Sequence, residues 1–191
     1  MEVEGLREAH PLASHKEIDC IMVIVKHEES KDIVAVRRVN EKAFGQKAEA
    51  DLVDMLRQLK DITIVSLVAT TGEDVAGHIL FSPVKVTNTE GEWEAMGLGP
   101  VAVLPEFQGR GIGTRLVETG LDECRKLGFE VVFVLGHPDF YPRFGFSPSK
   151  PQGIEWEGAA PEEAFMVVEL CEGALENRKG IVKYLPEFDA V

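Results

Sequence analysis

The sequence is poor in cysteine, has no long apolar run, and carries far fewer basic than acidic residues. Each shortage excludes a class of protein. Its three cysteines, Cys20, Cys124 and Cys171, are far apart, odd in number and in no CxxC spacing, which argues against a disulfide framework and against a zinc site. No apolar run approaches the ~20 residues of a membrane span, so no membrane partner is expected. The first residues, Met1 to Lys16, mix charges with small residues and lack the apolar stretch of a secretory signal. A reducing cytoplasm is the expected location. Twenty Lys and Arg against 33 Asp and Glu give a formal net charge of −13, which would repel a phosphate backbone and argues against nucleic acid as a partner. The same field would attract amines and polyamines, although surplus acid also serves solubility.

The 191 residues, 45% hydrophobic and 28% charged, suit one globular domain with a sizeable core. Residues 1–17 show little periodicity and read as an N-terminal arm, leaving 18–191 as the domain. Cys20 to Lys26 reads as a first strand, followed by helical patterns over Ile33 to Phe44 and Lys47 to Leu59. Ile62 to Ala69 and Val75 to Val86, separated by Thr70-Thr71-Gly72-Glu73-Asp74, read as an antiparallel pair. A polar connection, Thr87 to Glu94, then leads to a fourth strand at Leu98 to Leu104. Further strands are expected at Phe165 to Leu170 and Gly180 to Leu185. The expectation is a mixed α/β sheet of about seven strands.

The segment from Leu98 to Leu135 carries the sharpest pattern. Ile112, Leu116, Val117, Leu121, Cys124 and Leu127 fall on one helical face, Gly128 offers a stop, and Val131 to Leu135 is apolar on both faces like a covered parallel strand. Strand, glycine loop, helix, strand is a βαβ unit. The loop itself is Gln108-Gly109-Arg110-Gly111-Ile112-Gly113-Thr114. Glycine lacks Cβ, so the loop can turn N–H groups toward one point, and the positive end of the following helix favours an anion there. A phosphate-bearing ligand is the natural occupant. A nucleoside-triphosphate loop needs a lysine after its last glycine, and none follows Gly113. A dinucleotide fingerprint needs a small third residue at position 114, where Thr stands.

The pattern Q/R-x-x-G-x-G/A is present as Gln108 to Gly113, right after Val101-Ala102-Val103-Leu104-Pro105, and Tyr141-Pro142-Arg143-Phe144-Gly145-Phe146 fits Y-x-x-x-G-F 28 residues after Gly113. In order and spacing these resemble the acetyl-CoA loop and the following signature of the GNAT family of N-acetyltransferases. The strings GHILFSPV (Gly77 to Val84) and LGHPDFYPRFGF (Leu135 to Phe146) resemble one bacterial subgroup, the YhbS-like acetyltransferases. The resemblance implies a GNAT fold in which parallel strands four and five splay into a V-shaped cleft, with helices on both faces. It implies acetyl-CoA as donor and a small-molecule or peptide amine as acceptor, without a metal. Homodimers are common in the family.

Carried over by position, backbone groups of Val101, Ala102 and Val103 on the splayed strand would hold the pantetheine arm. Gln108 and the N–H groups of Gly109, Arg110, Gly111, Ile112, Gly113 and Thr114 would hold the pyrophosphate, with the Arg110 side chain adding charge. The Val101 N–H would stabilise the oxyanion, and Tyr141 would return a proton to the departing thiolate. Glu94 and His78 are candidates for the base that frees the amine, and His137 is read as part of a turn. Phe144 and Phe146 read as core, as do Cys124 and Cys171. Many family members carry an asparagine about seven residues before the tyrosine; Val134 stands there, so the fourth helix should be short or irregular, starting at His137-Pro138-Asp139. A module that binds acyl-CoA without catalysis is the alternative from another class.

Overall fold

In the computed structural model, which describes residues 22–190, one sheet runs through the molecule with helices on both faces. Its elements in chain order are β1 (Val23–His27), α1 (Ile33–Phe44), α2 (Ala48–Gln58), β2 (Val65–Thr71), β3 (Asp74–Asn88) and β4 (Gly91–Val103). They are followed by α3 (Ile112–Lys126), β5 (Val131–Leu135), β6 (Ser147–Pro148), β7 (Ile154–Trp156), β8 (Phe165–Glu169) and β9 (Gly180–Lys183). The strand order is β1-β2-β3-β4-β5-β8-β6, with β9 on the far half of β3 and β7 beside β9. Nine strands among the described residues thus replace the expected seven, because β6 and β7 are too short to show a period. The expected arm at residues 1–17 and Cys20 lie outside the described residues. No described helix is long and apolar enough to cross a membrane.

The alternation of β3 explains how the layers are built. Ile79 and Phe81 face α3, where they meet Ile112, Leu116, Val117 and Cys124. Leu80 faces the other way, into the layer of α1 and α2 with Val36, Val39, Leu52 and Leu56. A strand buried on both faces has no polar side to display, as its run of buried residues shows. Past residue 83 the same strand changes character. Lys85 and Thr87 face Glu94 and Glu92 across β4, with the Lys85 ammonium 2.9 Å from Glu92. The stretch Thr87 to Glu94 is therefore a hairpin and not a loop. Its polar residues form an exposed face, and the Asn88 side chain closes the turn by accepting from the N–H groups of Glu90 and Gly91 at 2.8 and 3.1 Å.

Three smaller expectations change for traceable reasons. Leu127 is 53% exposed because α3 stops one residue earlier in a Schellman turn. There Phe129 N–H bonds to Cys124 O, Gly128 N–H bonds to Arg125 O, and the Phe129 ring takes the place on the core. Cys171 is exposed while Cys124 is buried and its thiol pushed up to about 12 by burial. Cys171 begins the turn after β8, where Ala174 N–H bonds to its carbonyl, beyond the buried run of the strand. Phe146 is buried, but Phe144 is only half-buried, edge-on to Phe140 at 5.3 Å.

Gly120 lies where α3 crosses β3: a Cβ there would come within 2.2 Å of the Phe81 ring. Ala in an exposed helix gains about 1 kcal/mol over Gly, whereas overpacking a core costs roughly 1–3 kcal/mol. At 2.2 Å the steric cost wins. Gly120→Ala is expected to lower the melting temperature by several degrees, read by calorimetry; a raised melting temperature would contradict this helix–sheet packing.

Candidate active site

The parallel ladder between β4 and β5 is only three pairs long: Met96 with Val132, Gly97 with Phe133, Leu98 with Val134. Beyond Leu98 the two strands part. The cause lies in β4, where Gly99 and Pro100 together face one residue of β3, because the register moves from Phe81–Leu98 to Ile79–Val101. This bulge, with Gly99 at φ 154, turns the strand away from β5. A cleft of about 910 Å3 opens there, walled by Leu98 to Val101 on one side and Leu135 to His137 on the other.

The backbone of β4 meets this cleft in alternate residues. Leu104 N–H bonds to Ala76 O of β3 at 2.9 Å, so two-residue alternation turns Ala102 toward β3 as well. Val101 and Val103 then present their N–H and C=O groups to the open side. Ala102, expected among the ligand-binding residues, instead spends its backbone on the sheet and buries its side chain under α1 and α2. Gln108 is likewise committed within the protein: its side-chain amide donates to Val103 O at 3.0 Å and ties the loop to the end of the strand.

The loop beyond it is built by its glycines. Gly109 and Gly111 have φ of 72 and 78, with open space where a Cβ would stand, a conformation that side chains disfavour. Gly111 caps α3, and Arg115 is the first residue of the helix whose N–H bonds back, to Gly111 O at 3.1 Å. The N–H groups of Ile112, Gly113 and Thr114 precede the first intrahelical bond and point outward at the helix start. The Ile112 side chain is buried and contributes only backbone. Arg110 is exposed, its guanidinium 5.5 Å over the Phe107 ring.

Tyr141 enters the cleft from a single 3-10 turn, Tyr141–Phe144, that follows β5. The element is short, as Val134 implied, but it starts at Tyr141 and not at His137-Pro138-Asp139, which form a preceding turn. The ring lies on Gly136, where a Cβ would sit 2.3 Å from it, and is flanked edge-on by Phe140 and Phe146. Burial pushes its phenol up to about 12, so it stays protonated at neutral pH. His137 lies at the mouth and bonds through its carbonyl to Phe140 N–H, as a turn residue should.

Neither expected base reaches the cleft. Glu94 is exposed on β4 opposite Lys85, seven residues and therefore about 23 Å along the strand from Val101. His78 is wholly buried on the face of β3 under α1. Asn40 Nδ2 donates to its Nδ1 at 3.1 Å, so its Nε2 carries the proton toward Ser66 Oγ at 2.9 Å, and Ser66 in turn bonds to Glu28. Desolvation, then the charge of Arg57, lowers its pKa to about 3. Glu28, 3.9 Å from Nε2, does not reverse this because Arg57 already neutralises it at 2.6 Å.

One wall of the cleft, the C-terminal segment, has no pattern in the sequence that announces it. Tyr184 follows β9 and lies over Gly97, a Cβ of which would approach its ring to 2.5 Å; the Phe188 ring meets it tilted by 59° at 4.9 Å and packs on the α1 and α2 layer. Burial, with Tyr141 nearby, raises the Tyr184 phenol. Only tertiary contacts bring this segment here. The glycine at position 97, mid-strand without a turn, was its one trace in the sequence.

A sheet splayed beside a glycine-capped helix defines an acyltransferase of the GNAT class. The chain belongs to that family: the acetyltransferase (GNAT) domain model matches residues 25–149. It is similar to YhbS of Escherichia coli K12, an uncharacterized N-acetyltransferase, with 33% identity over 168 residues, 87% of this chain and 99% of that one. It is also similar to YjhQ of the same organism, with 40% identity over 121 residues, 63% of this chain and 67% of the other. The crystal structure of E. coli YhbS in complex with CoA matches at a TM-score of 0.83 and 32% identity, covering 92% of this chain and 96% of that one. A GNAT family acetyltransferase from Brucella melitensis in complex with acetyl-CoA matches at 0.71 and 34%, covering 88% and 99%.

His78 has a measurable signature. Its folded pKa of about 3 lies below the ~6.5 of an unfolded histidine. On acidification between those values the unfolded chain takes up a proton that the fold refuses, so stability is present above about pH 6.5 and lost as pH falls toward 3, by up to ~1.4 kcal/mol per pH unit. Denaturant titrations from about pH 7 to 4 should show His78→Gln losing less stability than the wild type over this window. Equal losses would contradict a buried, neutral His78.

Proposed function

We propose that the protein transfers an acetyl group from acetyl-CoA to a primary amine by direct attack within a ternary complex. The observation that carries this is the open edge of β4, facing Tyr141, next to a loop whose N–H groups converge at a helix start. Val101 and Val103 can pair with an extended amide-bearing arm as an added strand would. The N–H groups of Gly109 to Thr114 suit a pyrophosphate, with Arg110 adding a flexible positive charge. The open space at Gly109 and Gly111 fits a close approach of phosphate. The two relatives crystallised with CoA and acetyl-CoA support the same donor.

In this reading the amine, once its ammonium proton has gone to solvent, attacks the thioester carbonyl as the neutral base, the new C–N bond forms, and the Val101 N–H stabilises the developing oxyanion, a contribution of about 3 kcal/mol. The C–S bond then breaks, and Tyr141 donates its phenolic proton to the departing sulfur. A phenol at about 12 against a free thiol near 8.5 leaves the transfer uphill by roughly 5 kcal/mol. The sulfur departs inside the same desolvated cleft, which raises the thiol pKa in the same direction and narrows that gap. The proton lost by the amine replaces the one Tyr141 gives.

Acetyl-CoA is expected to raise the melting temperature and NADH is not; no shift with saturating acetyl-CoA would overturn the reading. With an acceptor that supports turnover, Tyr141→Phe should lower kcat by roughly 10²-fold while the Kd for coenzyme A stays within about twofold. Unchanged kcat would remove Tyr141 from the chemistry.

A further inference from the structure

We infer that the acceptor half of the cleft selects a cationic amine over one whose chain also carries a carboxylate, and that Glu49 recognises its charge. The inference rests on the acetyltransferase reading above and adds the class of acceptor. Among the described residues three carboxylates line the cleft, Glu49, Glu157 and Asp189, and no Lys or Arg does. They are not equivalent. Glu157 has the Lys183 ammonium at 3.5 Å, and Asp189 is exposed to solvent.

Glu49 is half-buried in the first turn of α2, and Gln46 Nε2 donates to its Oε1 at 2.9 Å. Its Oε2 is buried and has no hydrogen-bond partner among the described residues. A buried carboxylate oxygen without a donor is costly, and a ligand that brings N–H groups removes that cost. An ammonium brings three donors and the opposite charge. Around the carboxylate, Phe44, Leu52 and Phe188 supply apolar surface, and Phe44 remains 40% exposed there. Aromatic faces favour a cation and its alkyl stem. An acceptor whose chain also carries a carboxylate would bring it among the carboxylates of Glu49, Glu157 and Asp189, placing like charges together in a partly dry site. A carboxylate in the first turn also complements the helix dipole, but that role needs neither the cleft-facing position nor the unpartnered oxygen.

The test compares three probes of one chain length, 1,5-diaminopentane, pentylamine and 5-aminopentanoate, binding to the coenzyme A-saturated protein by isothermal titration calorimetry. Both amines should bind at least about tenfold tighter than 5-aminopentanoate. Glu49→Gln, which keeps an acceptor for Gln46, should erase that ratio while leaving coenzyme A affinity intact. Equal binding of the three probes, no binding of the diamine, or a ratio that survives in Glu49→Gln would overturn the inference. If coenzyme A binds and the probes do not discriminate, only this inference falls. If coenzyme A itself does not bind, the acetyltransferase reading falls with it.

Discussion

The end of the β4–β5 ladder at Leu98 and Val134 governs everything downstream in this molecule. Two strands that stayed paired would use up the N–H and C=O groups of Val101 and Val103, and the sheet would be closed and inert. The bulge at Gly99 and Pro100 turns β4 aside and leaves those groups without a strand partner in the middle of a packed protein. Unpaired backbone is costly to bury, and here it lines a cleft instead. The side chains that make the cleft are arranged around this gap. Gly136 and Gly97 admit the rings of Tyr141 and Tyr184 against the backbone, and Gln108 fastens the glycine loop to the last carbonyl of β4.

Charge is distributed to match the two halves of such a cleft. A chain of net charge −13 would repel an anionic donor if the whole field acted, but screening confines exposed charges to about 8 Å at physiological salt. What counts is local. At the loop, helix N–H groups and Arg110 present positive potential, whereas the wall formed by α2 and the C-terminal segment presents carboxylates and aromatic rings. The same overall acidity is therefore compatible with phosphate at one end and a cation at the other.

The parts legible in the sequence were those set by local physics. Gly109 and Gly111 are glycine because of their φ values, and the buried stripe of α3 follows from helical spacing. The covered strand β5 is apolar throughout, and Val134 signalled the missing helix before Tyr141. The parts that were not legible depend on register and long-range packing. Polar residues between Thr87 and Glu94 look the same in a loop as on the exposed face of a hairpin. His78 and Glu94 each have acid–base chemistry, but only the alternation of β3 and β4 shows that one is sealed under α1 and the other lies far from the bulge. Ala102 sits between two cleft-facing residues and turns the opposite way for the same reason. Tyr184 and Phe188 reach the cleft through the pairing of β9 with β3, which no short pattern announces.

The central claim is that the open backbone edge of β4, together with the glycine loop, holds the acyl donor. Amide chemical shifts and hydrogen exchange of the 15N-labelled protein, followed through a titration with coenzyme A, test it directly. The account requires the Val101 and Val103 amides to shift and slow in exchange, together with those of Gly109 to Thr114, while Ala102, already bonded within the sheet, stays nearly unchanged. Coenzyme-dependent changes that spare Val101 and Val103, or that centre on the smaller cavity between Ser149 and Phe165, would contradict it.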